Sequence, residues 1–175
     1  MTPSRSLLAG VSALVMFPVI ASAQVCVQPA EKTAFDIRAL QSQLMVAALS
    51  CGLQDDYNAF VRKYQNDVAT AFRGVAAHFR RTAGGQHQRE LDQYITQLAN
   101  GQSQMSIARG SFFCREQAPL FQAAMTATSA ADLARISVER QVHQVLTTPE
   151  CPARPATTRQ ANNQSQRPAQ PATPR

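Results

Sequence analysis

The chain opens with an export signal and then carries four cysteines, and these two facts constrain its fold more than anything else in it. Arg5 supplies a positive n-region, Leu7 to Ile20 an apolar run, and Ala21-Ser22-Ala23 an A-x-A site ahead of Gln24. Residues 1–23 therefore read as a signal peptide cleaved after Ala23. The apolar run falls short of the roughly 20 residues of a comfortable membrane helix, and Gly10, Ser12 and Pro18 interrupt it. Val25 directly before Cys26 does not fit a lipobox. No later segment is apolar enough to span a bilayer, so no transmembrane segment is expected after cleavage. A periplasmic or secreted location places Cys26, Cys51, Cys114 and Cys151 in an oxidising compartment, where they are expected to be paired.

Three parts follow. Residues 24–151 hold enough chain for one domain with its own core. Residues 152–175 differ sharply. Pro152, Pro155, Pro168, Pro171 and Pro174 alternate with Arg154, Arg159, Arg167 and Arg175, and no acid, aromatic or large aliphatic residue is present. Such a segment has nothing to bury against the entropy of ordering, and it reads as a disordered Pro/Arg/Gln-rich tail. The formal net charge is +6 for the whole chain, but Arg5 and the four tail arginines account for most of it and leave the body at +1. The domain therefore offers no basic face by count, and no nucleic acid partner is expected. The tail is expected to make at most weak, salt-sensitive contact with anionic envelope polymers.

The body reads as all-α, a small disulfide-stapled bundle of four to five helices. Ile37, Leu40, Leu44, Ala48 and Cys51 share one face of a helix over 33–51, with Thr33 and Asp36 as a candidate capping box and Gly52 as its C-cap. A second helix over 54–82 carries Tyr57, Phe60, Val61, Tyr64, Val68, Phe72, Val75, Ala76 and Phe79 as one stripe. Asp55 and Asp56 in its first turn and Arg80 and Arg81 in its last suit the helix dipole. A third begins near Gln88 with Leu91, Tyr94, Ile95 and Leu98 inward; past Asn100-Gly101 it either continues or gives way to a separate turn. A fourth covers 111–127, where Pro119 implies either a kink or a separate short turn. The fifth covers 130–146, capped by Ser129, with Ala131, Ala134, Val138, Val142 and Val145 on one face. Nothing alternates at period two long enough to form a strand.

Four cysteines allow three pairings. In an up-and-down stack the end of the first helix and the start of the fourth lie at the same end, which favours Cys51–Cys114. Cys26–Cys151 then ties the segments that flank the helices. With five helices these segments start from opposite ends of the stack, so linkers 27–32 and 147–150 must span the difference.

No catalytic, cofactor-binding or metal-ligating residue stands out. The cysteines lack C-x-x-C spacing, which argues against zinc, haem attachment and a redox pair. His78, His87 and His143 lie on three different elements, although the first two flank the Gly84-Gly85 turn. The close acid pairs, Asp55-Asp56 and Glu90/Asp92, sit at helix starts and suit the dipole better than hydrolysis. Arg62-Lys63 and Arg80-Arg81 read as solvated faces. No nucleophile elbow or phosphate-binding loop occurs.

The run Ala39-Leu40-Gln41-Ser42-Gln43-Leu44-Met45-Val46-Ala47-Ala48-Leu49-Ser50-Cys51-Gly52, followed by Tyr57-Asn58-Ala59-Phe60-Val61 and later by Phe113-Cys114, resembles an uncharacterised family of small exported alphaproteobacterial proteins. The likeness is close over residues 36–64, weaker to about Phe121, and absent from the tail. It implies a compartment and a lineage, and no activity. The sequence thus points to a non-enzymatic exported binding or structural protein that needs no cofactor. The alternatives are an envelope-polymer hydrolase with a site assembled from scattered residues, and a small periplasmic holdase.

Overall fold

The computed structural model describes residues 25–152. The predicted signal peptide at 1–23 and the predicted tail, apart from Pro152, lie outside the described residues. Among the described residues there are six α-helices: α1 (Pro29–Cys51), α2 (Gln54–Lys63), α3 (Gln65–Ala83), α4 (His87–Arg109), α5 (Ser111–Thr126) and α6 (Ala130–Glu139). The protein is all-α, as its patterning implies, and two disulfides staple it: Cys51–Cys114 with Cα atoms 5.5 Å apart, and Cys26–Cys151 at 4.9 Å. No helix of the described residues is long and apolar enough to cross a membrane.

The first helix starts earlier than its apolar pattern implies. Pro29 occupies the first turn, and Gln28 with Glu31 forms the capping box, so Thr33 is already interior and its hydroxyl donates to the Pro29 carbonyl. Gly52 ends α1 in the left-handed region at φ 71°. α1 is the central element and touches all five other helices. Its buried surface therefore runs well beyond the single stripe of large residues: Ala39, Ser42, Ala47 and Ala48 are buried as well as Phe35, Ile37, Leu40 and Leu44. The small side chains let neighbours come close. A Cβ on Gly74 of α3 would lie 2.7 Å from the Ala34 Cβ of α1.

The long second helix is two helices. The break is at Tyr64, which is buried and places its hydroxyl 2.8 Å from the carbonyls of both Ala124 and Ala127. Those carbonyls belong to the end of α5, where helix acceptors run short of donors; the Ala124 carbonyl takes the Ala127 N–H besides the Tyr64 hydroxyl. The break shifts the phase of the stripe, and Phe72 is left 44 % exposed, with the Arg38 guanidinium 5.8 Å from its ring. α4, by contrast, runs unbroken through Asn100-Gly101, and α5 runs through Pro119 as one helix.

The last helix is the main departure. α6 stops at Glu139, not near Leu146. Ser129 caps it as predicted, its Oγ accepting from the Asp132 N–H. Its buried residues are Leu133, Ala134, Ile136 and Ser137, whereas Val138 is exposed; Leu133 and Ile136 bring more apolar area than the Ala131/Val138 face. The Val142 N–H donates to the Ser137 carbonyl and the Gln141 N–H to the Val138 carbonyl, with Gln141 at φ 51°. This is a Schellman termination with glutamine where glycine is usual. A non-glycine residue there costs roughly 1 kcal/mol, and its lack of glycine hides the stop from a sequence reading.

From Gln141 the chain runs back along α1 as an extended strap. Gln144 donates to the Phe35 carbonyl, and Val27 is bracketed by hydrogen bonds to Pro149 and Cys151. The lengths match: about sixteen residues of α1 rise ~24 Å, and roughly eight extended residues cover ~26 Å. The strap thereby solves the end-matching problem that a fifth full-length helix poses, and it delivers Cys151 to Cys26.

Candidate functional site

Two polar constellations stand out. The first joins α1 to α3. His78 is 2 % exposed and fully enclosed by protein. Its Nδ1 lies 3.0 Å from Glu31 Oε2, and the Arg81 guanidinium donates to both Glu31 oxygens and to the Cys26 carbonyl. The His78 ring also meets Phe35 and Phe79 edge-on, in a cluster that Tyr94 completes. Burial alone raises the Glu31 carboxyl pKa, but the bonds from Arg81, His78 and the Gln28 N–H outweigh it and bring it down to about 2. An acid, a histidine and an arginine are therefore in contact, yet all three are spent on tying the chain start, α1 and α3 together.

The second constellation is a cleft of about 270 Å³ where α1, α4 and α5 meet the head of the strap. Gln43 of α1 lines it, 3 % exposed; its Nε2 donates to Gln117 at 3.2 Å, and its Oε1 has no hydrogen-bond partner. Met105, Phe113 and Leu120 form an apolar wall. Arg109 and Arg140 line the cleft, and Arg109 is paired with Glu116. Arg140 has no ion-pair partner among the described residues. Two arginines against Glu116 leave these three side chains with one net positive charge. His143 and Gln141 come from the strap.

A buried clasp holds the strap beside this cleft. Gln102 is wholly buried, and its Nε2 donates to the Ala39 carbonyl of α1 and the His143 carbonyl of the strap. Gly101 beside it leaves room for the His143 ring; a Cβ there would lie 2.5 Å from Nε2. Lower down, the Gln144 Oε1 accepts from the Tyr94 hydroxyl and from the Val145 N–H. Burial pushes the Tyr94 hydroxyl pKa up, so it stays a donor.

The residues weighed from the sequence do not converge. His87 Nδ1 is 2.8 Å from its own turn's Gly84 carbonyl and is not joined to His78. Asp55 and Asp56 lie in the exposed first turn of α2, and Glu90 and Asp92 lie on α4. Of the basic pairs, Arg81 is committed to Glu31 and Lys63 donates to the Met125 carbonyl. Among the described residues no three of histidine, cysteine, aspartate and glutamate gather around a metal-sized space. Sequence reasoning missed Gln43, Gln102, Gln141 and Gln144. Nothing local marks Gln43 and Gln102 as buried or Gln141 and Gln144 as strap contacts; only tertiary packing makes them so. No family model matches the chain, and no curated protein or solved structure matches it either.

Proposed function

We propose that this is a non-enzymatic exported protein of the periplasm that acts as a binding or structural module. One observation carries the reading. The groups best suited to chemistry are dispersed: His78 is held in the Glu31–Arg81 ion cluster, His87 at its turn and the acid pairs on α2 and α4, and of the three histidines His143 is the one that lines the cleft. The two disulfides support an oxidising compartment. The likeness of residues 36–64 to small exported alphaproteobacterial proteins points the same way.

The test is fractionation of cells making the tagged chain. We expect a form processed after Ala23 in the periplasmic fraction, with no thiol reactive under denaturing conditions. Incubated with purified cell-wall polymer, it is expected to release no soluble fragments. Fragment release that disappears in His143→Ala would establish the hydrolase alternative instead.

A further inference from the structure

We infer that the cleft at the head of the strap binds a small monocarboxylate bearing an amide, the chemistry shared by an N-acylated amino acid and the C-terminal residue of a peptide. The inference rests on the binding-module reading and names its ligand class. Each part of the ligand has a counterpart. Gln43 Oε1 is a buried acceptor that nothing in the fold satisfies, so it calls for an N–H donor. Arg140 has no carboxylate partner among the described residues and offers a planar fork suited to one. Met105, Phe113 and Leu120 supply an apolar wall for a short aliphatic side chain. The volume, about 270 Å³, lies just below the usual range of ligand pockets, which limits the occupant to something the size of one or two residues. The single spare positive charge suits a monoanion better than a phosphate.

Two features of the wall cost stability. A buried unpaired amide oxygen is unfavourable. Gln141, on the cleft rim, holds a left-handed backbone that glycine would adopt without strain.

The test is titration of the isotopically labelled, oxidised, exported protein with N-acetyl-L-leucine, followed by NMR. We expect saturable shifts at Gln43, Gln117 and the Val142–His143 backbone, with a dissociation constant of about 0.1–1 mM, as befits so small a ligand. The methyl ester, which lacks the carboxylate, and 4-methylpentanoate, which lacks the amide, are each expected to bind about tenfold more weakly or worse. Arg140→Gln, an exposed change, is expected to weaken binding by a similar factor. Gln43→Met is expected to be at least as resistant to urea as the parent and to lose the preference for N-acetyl-leucine over 4-methylpentanoate. A purely structural Gln43 would not move that preference. Ala-Ala-Leu separates the sources: tighter binding assigns peptide ends, equal or weaker binding the free acyl amino acid. Absence of saturable shifts at these residues, or an affinity untouched by the ester or by Arg140→Gln, overturns the proposal. Conversion of the probe to leucine and acetate would leave the site standing and overturn the non-enzymatic reading.

Discussion

Replacing Glu31 with glutamine removes one charge from the ion cluster and little else. Glutamine is also a good third-position partner in a capping box, so the start of α1 should survive. The ion pair should not. In the native protein the Glu31 carboxyl has Arg81 at 2.6 Å and His78 at 3.0 Å, and its side chain is only 12 % exposed. Its pKa falls from 4.5 to about 2. At about 1.4 kcal/mol per tenfold change in proton affinity, that depression is worth roughly 3 kcal/mol of stability. The sign follows from the direction. A carboxyl depressed by folding stabilises fully above its unfolded value near 4.5 and loses that contribution as the pH falls toward 2. E31Q should therefore cost about 2–3 kcal/mol at pH 7, or on the order of 10 °C in melting temperature for a domain of this size. Urea melts of both proteins at pH 7 and pH 2.5 measure it. Asp132 is also held near 2, but it is untouched in either protein and cancels from the difference. The gap between parent and variant should shrink steeply at low pH. A gap under about 0.5 kcal/mol at pH 7 would mean solvent screens the pair like any surface bridge. A large gap independent of pH would mean the loss comes from packing, and either result refutes the electrostatic argument.

Gly74→Ala should destabilise by about 1–3 kcal/mol in chemical denaturation although alanine is the better helix former, because the new Cβ meets the Ala34 Cβ at 2.7 Å and α1 and α3 must separate. Gln102→Leu removes both donors that clasp the strap to α1, and should cost about 1–3 kcal/mol and speed amide exchange over 142–146 more than within α3. Cys51→Ala with Cys114→Ala opens a 63-residue separation, which in the chain-entropy account is worth about 4 kcal/mol; calorimetry of the variant that keeps Cys26–Cys151 checks it.

Much of the fold is legible in the order of residues because helices announce themselves locally. The 3.6-residue spacing of Ile37, Leu40 and Leu44, the Gly52 stop and the Ser129 cap each act within a turn or two. The Cys51–Cys114 pairing is readable as well, since it needs only the order of helix ends. The break at Tyr64 is not, because its reason is the carbonyls of Ala124 and Ala127, sixty residues on. Gly101 reads as a helix breaker in isolation; against the His143 ring it is the residue that fits. The cleft is illegible for the same reason, since Gln43, Arg109, Gln117 and Arg140 belong to four separate helices or their ends.

Sequence by itself determined the helical class, the chain's division into signal, body and tail as an expectation, and which cysteines lie near which helix ends. Tertiary structure decided where the last helix stops and that the chain then returns along α1 as a strap. The physical reason is range. Periodicity and capping are set by neighbours a few residues away, whereas the strap exists because Phe35 presents a carbonyl to Gln144, and Gln102, itself held by the Ala39 carbonyl, presents a donor to His143, only once the bundle has assembled.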